Sequence, residues 1–133
     1  MEPSRVYSIR LTCHPDTPSS AVHRIDARIC RRPQGLLQIT YALHADLERV
    51  RLPPPALAAR RDGLWQHTCF ELFIRREGVP AYHEFNFSPS GAWAAYAFTR
   101  YREGAARVEQ AASPRVNAPP RTPGNLTLET TLR

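Results

Sequence analysis

"HTCFELFIRREGVPAYHEFNFSPSGAW", residues 67–93, places an aliphatic or aromatic side chain at nearly every second position. That is the period of a strand with one buried face. The intervening positions hold His67, Glu71, Glu84 and Asn86, where a merely solvated face would accept Ser or Thr. Strands are predicted over residues 64–76, 81–88 and 92–102.

Turn chemistry sets the expected register. "EGVP" admits a two-residue loop at Gly78-Val79, which pairs Phe73 with Glu84 and Glu71 with Asn86. "SPSG" reads as a turn with Pro second and Gly fourth, which pairs Asn86 with Trp93 and Glu84 with Ala95. One face then gathers Phe70, Leu72, Ile74, Phe85, Phe87, Tyr96 and Phe98, with His83 as its polar member, and is expected to be core. The other gathers Trp65, His67, Glu71, Tyr82, Glu84, Asn86 and Trp93, with Ala95 and Ala97 leaving room beside Glu84. A one-residue slip would move a whole strand's side chains to the opposite face.

The flanking sequence extends the all-β pattern. "RVYSIRLTCH" alternates, and "AVHRIDARICRR" and "LLQITYALHAD" form an expected hairpin across "PQG". In the second of these, Val22 is expected on one side and His23, Ile25, Ala27 and Ile29 on the other. "LERVRLPPPALAARRDG" is a connection whose three prolines exclude a helix interior, with room for one short turn at "ALAAR". A short strand is expected at Arg107–Gln110, and "NLTLETTLR" alternates Leu126, Leu128 and Thr130 as a last strand. Thirteen prolines against six glycines fit many chain reversals. The expected architecture is one domain over residues 1–133, an antiparallel β-sandwich of jelly-roll or immunoglobulin-like type. Its final strand ends the chain without a cap, so further C-terminal strands are expected after Arg133.

Composition narrows the function. All eighteen basic residues are arginine and the net charge is +6. They are scattered singly or in pairs, which argues against a nucleic-acid surface, since such surfaces concentrate charge on one face or arm. Cys13, Cys30 and Cys69 are odd in number and widely spaced, so neither a disulfide framework nor a structural zinc site is expected. No apolar run approaches the roughly 20 residues of a membrane span and no signal-peptide core is visible. The expected setting is a reducing cytoplasm.

The mixed face is the candidate site. Rings at Trp65, Tyr82 and Trp93 surround Glu71, Glu84, Asn86 and His67, with Arg100 at the margin. Sugars need this combination, because their C–H faces stack on aromatic rings and their hydroxyls pair with carboxylates and amides. The plainer alternative is a half-solvated sheet face whose polar groups satisfy one another. Glu71 and Glu84 on adjacent strands also admit a glycosidase dyad, although no nucleophile elbow, phosphate loop or HExxH pattern accompanies them. A metal held by His67, Cys69 and Glu71 is disfavoured. Successive same-face side chains start about 6.5 Å apart, too far for three to share one ion.

"LWQHTCFELFIRREGVPAYHEFNFSPSGAWAAYAFTRYREG", residues 64–104, resembles the bacterial DOMON-like domains, relatives of the family 9 carbohydrate-binding modules. Trp65 with "CFELFI" and Tyr82 with "EFNFSPSG" are the matching segments, and His67-Thr68 stand where the sugar modules place an acidic residue. The resemblance implies a sandwich with a ligand against one sheet, either a sugar or haem. Haem would need His67 or His83 as an axial ligand. The leading expectation is a non-catalytic domain that binds a saccharide or similar polar small molecule, with no cofactor and no resident metal.

Overall fold

The computed structural model describes residues 4–108, 114–119 and 121–132. Among the described residues nine strands form two antiparallel sheets packed face to face, an all-β sandwich. The strands are β1 (Arg5–Arg10), β2 (Val22–Arg31), β3 (Leu37–Ala45), β4 (Phe70–Arg75), β5 (Tyr82–Phe87), β6 (Trp93–Phe98), β7 (Ala106–Arg107), β8 (Arg115–Asn117) and β9 (Asn125–Leu132). The first sheet runs β1-β2-β3-β9-β8 and the second is the meander β4-β5-β6-β7. The last strand is therefore interior, paired with β3 on one side and β8 on the other. Of the short strand expected at Arg107–Gln110, Arg107 falls in β7, while Glu109 and Gln110 lie outside the described residues.

Strand alternation fills the core. Ile39, Tyr41, Leu43 and Ala45 of β3 point inward beside Leu126, Leu128 and Leu132 of β9. They meet Phe70, Phe85, Phe87, Trp93 and Ala95 from the second sheet. Tyr41 ties the layers together. Its ring lies 5.0 Å from that of Phe70 and its hydroxyl donates to the Glu71 carbonyl at 2.9 Å. Burial holds that phenol far above its ordinary range, so it remains a donor.

Three local readings needed correction, each by backbone geometry. In β2 a bulge between Val22 and Arg24 shifts the parity, so Val22 packs on the same core as Ile25 and Ile29. The "ALAAR" segment is extended, not a turn of helix. The Trp93 amide donates to the Ala59 carbonyl and the Arg61 amide to the Trp93 carbonyl, at 3.1 and 2.8 Å, so this segment satisfies the edge of β6. Arg60 fastens it, donating to the carbonyls of Val108 and Ala95 at 2.9 and 3.2 Å.

The third correction concerns the β5–β6 hairpin. The β4–β5 pairing matches expectation, with Glu71 opposite Asn86 and Phe73 opposite Glu84. Between β5 and β6, however, Phe87 faces Trp93, Asn86 faces Ala94 and Glu84 faces Tyr96. The connection has three loop residues, not two. The Gly91 amide donates to the Ser88 carbonyl at 3.0 Å and the Ser88 amide donates to the Ala92 carbonyl at 2.9 Å. Gly91 takes φ 101° as the extra residue, the three-residue loop in which a left-handed residue follows a turn. Trp93, Ala95 and Ala97 therefore face inward, while Ala94, Tyr96 and Phe98 face outward.

Leu128 is fully enclosed and Leu57 is exposed. Leu128→Ala is expected to cost about 2–5 kcal/mol, and Leu57→Ala to stay within about 0.5 kcal/mol, in urea unfolding followed by circular dichroism.

Candidate functional site

The outward face of the second sheet is a three-by-three lattice fixed by the registers. Its rows are Glu71–Asn86–Ala94, Phe73–Glu84–Tyr96 and Arg75–Tyr82–Phe98. Glu71, Tyr82, Glu84 and Asn86 thus share one face, as the sequence predicts.

The other expected members do not join them. Trp93 is 5% exposed and belongs to the core, because the longer loop turns it inward. Trp65 is not on a strand; it sits 63% exposed on a 3₁₀ turn at Leu64–Gln66, and His67 follows as the exposed, extended residue that ends this turn. Strand β6 stops at Phe98, and Arg100 lies in the turn beyond it, paired with Glu103 at 2.8 Å. In their place the face holds Tyr96 and Phe98, which the two-residue loop would have turned inward, beside Phe73, which lies on this face as the β4–β5 register predicts.

The Asn86–Ala94 part of the first row is roofed, while Glu71 at its other end is exposed. Leu64, Ala92 and Ala94 form a small buried cluster with Cys69 and Tyr96 packed on it. Asn86 is 0% exposed, and neither its Oδ1 nor its Nδ2 has a hydrogen-bond partner among the described residues. Leaving such an amide unpaired costs about 1–3 kcal/mol.

The remaining rows are open. Tyr82 stacks on Phe98 with centroids 4.8 Å apart and planes 8° apart, and Phe73 lies 6.2 Å from Tyr82. Phe73 is 56% exposed, so the strip of rings is accessible. Beside it, Tyr96 donates its hydroxyl to Asp62 at 2.8 Å, and Arg60 lies over the Tyr96 ring. That hydrogen bond, reinforced by the bond from Arg60, holds the Asp62 carboxyl below its ordinary range.

Burial raises the carboxyls of Glu71 and Glu84 above theirs, and the charge of Glu71 adds to the rise at Glu84. Glu71 keeps more solvent around it, which screens its share. Burial and the same two carboxylates push the Cys69 thiol up to about 11, leaving it protonated and inert. The arrangement can accept hydrogen bonds from hydroxyls and hold a proton on a carboxyl near an apolar surface.

The histidines considered for haem occupy separate places. His83 faces inward at the mouth of a cleft between the sheets, its ring stacked 6.5 Å from Phe85, and His67 does not line that cleft. Among the described residues no three His, Cys, Asp or Glu side chains converge to hold a metal ion, and no helix is long and apolar enough to cross a membrane. No protein-family model, no curated protein and no solved structure matches the chain.

A raised carboxyl binds its proton more tightly in the folded chain than in the unfolded one. Its stabilising contribution is complete below the unfolded value and is lost as pH rises through the folded value. Glu84→Gln is therefore expected to stabilise the domain at about pH 7 and to be neutral at about pH 3. Urea titrations at the two pH values measure the difference. In carboxyl NMR titrations, Glu71→Gln should lower the midpoint of Glu84.

Proposed function

We propose that this chain is a non-catalytic ligand-binding domain of the DOMON-like kind, which holds a saccharide or similar polar small molecule against the outward face of its second sheet. The supporting observation is the accessible ring strip Phe73–Tyr82–Phe98 lying alongside two carboxyls, Glu71 and Glu84. A sugar's apolar face would cover the rings, and its hydroxyls would donate to Glu84 first, since Glu84 stands at the centre of the lattice. Trp65, exposed on its turn, would border the ligand. Asn86 is sealed beneath the roof and would shape the floor without touching the ligand. The unpaired cysteines Cys13, Cys30 and Cys69 suit a reducing compartment, and the reading places the domain in the cytoplasm.

Calorimetric titration with a panel of mono- and oligosaccharides tests the assignment. Phe73→Ala combined with Glu84→Gln is expected to weaken a binding sugar at least about tenfold, the effect of roughly 1.4 kcal/mol. Undiminished affinity in the double variant, with its fold intact, would contradict the site.

A further inference from the structure

The two sheets part at one end of the sandwich. The start of β3 and the end of β9 separate there from the end of β4 and the start of β5, leaving a cleft of about 1630 Å³. Its inner walls continue the core: Leu37 and Leu132 on one sheet, Phe85 and Ala97 on the other. Nearer the mouth the walls stay apolar although water reaches them, with Ile74 41% and Val79 39% exposed. Folding ordinarily closes such a surface, and here the splayed strand ends keep it open.

The mouth is charged with one sign. Arg5, Arg31, Arg32, Arg75 and Arg76 line it, from both sheets, and Glu77 is the single carboxylate among its described lining residues. None of the five arginines makes an ion pair with a described carboxylate. Arg32 donates to Gln38 Oε1 at 2.9 Å, a neutral acceptor. Five guanidiniums around one opening repel one another and concentrate positive potential where low-dielectric walls begin. An anion at the mouth relieves that repulsion, and an apolar body behind it covers the exposed walls.

We propose that this cleft binds a single-chain amphiphile with an anionic head, its hydrocarbon chain between the sheets and its head among the arginines. The chain form follows from the walls, which are mainly aliphatic and open as a wedge. The head follows from guanidiniums that no described carboxylate pairs, which match carboxylate or phosphate oxygens in pairs. The cleft borders the outward face along one row, Arg75–Tyr82–Phe98, while its inner walls at Phe85 and Ala97 lie on the opposite side of the second sheet from Glu84 and Asn86.

Calorimetry of the full chain with octanoate, decanoate and dodecanoate, each below its micelle threshold, tests the chain. Affinity should rise roughly fourfold per added methylene, the increment that burial of one such group gives. Dodecyl phosphate and dodecanol test the head. Both anions should bind and the alcohol should bind at least about tenfold more weakly, while the tighter of the two anions identifies the natural head. Arg31→Glu with Arg75→Glu should weaken dodecanoate by a similar factor and preserve the chain-length trend. These exposed positions leave the core intact, which circular dichroism checks. Affinity independent of chain length, dodecanol equal to dodecanoate, or an unaffected double variant would each overturn the proposal.

Discussion

A single glycine conformation decides which side chains of the second sheet meet water. Gly91 holds φ 101°, a region that costs a side-chain-bearing residue roughly 1–2 kcal/mol, and so lets the β5–β6 loop accommodate an extra residue. Two serines wire the same loop. Ser88 Oγ accepts from the Ser90 amide at 3.1 Å and Ser90 Oγ accepts from the Ala92 amide at 3.3 Å. With the loop fixed, parity does the rest, because each residue of β6 must alternate between core and surface. Trp93 goes inward against Phe87, and Tyr96 goes outward beside Glu84.

That division lets one sheet serve two environments. Its inward face completes the core with the first sheet, and its outward face keeps rings and carboxyls together at an energetic cost. Glu71 and Glu84 are both pushed toward their protonated forms, and the buried Asn86 amide goes unpaired among the described residues. Replacing such groups by apolar ones of similar shape is often neutral or stabilising. Arg60 makes the arrangement rigid. It satisfies two edge carbonyls, pairs with Asp62 at 2.9 Å and lies over Tyr96. The open end is the complementary case, where the first sheet extends past its partner. At the edge of the same sheet, away from the cleft's lining, Tyr7 and Ile9 of β1, opposite Ile29 and Ala27, stay about half exposed.

The strands were legible in the sequence because their alternation is strong: β3 and β9 each show four inward side chains in strict succession. The β4–β5 register was legible from the position of Gly78. The parity of β6 was not, since "WAAYAF" offers Trp, Ala and Ala on one face against Ala, Tyr and Phe on the other. Both choices bury rings, so hydrophobic pattern alone does not separate a two-residue loop from a three-residue one. The signal available was Gly91 itself, a residue suited to the left-handed place in the longer loop. The bulge at Val22–Arg24 and the edge pairing of Ala59–Arg61 left no comparable mark, because each depends on a partner distant in the chain. Half of the candidate face survived: Glu71, Glu84, Tyr82 and Asn86 ride on the two strands whose register was readable. Trp93 fell with the loop, and Trp65 fell because Gly63 at φ 78° starts a tight turn where a strand was expected.

The inward placement of Trp93 is open to direct measurement. A Trp65→Phe variant leaves one tryptophan, whose emission and acrylamide quenching report its surroundings alone. The three-residue loop predicts blue-shifted emission and weak quenching, both becoming those of a solvated indole on unfolding in urea. Emission and quenching of a solvated indole in the folded domain would return Trp93 to the outer face and contradict the assignment of both faces.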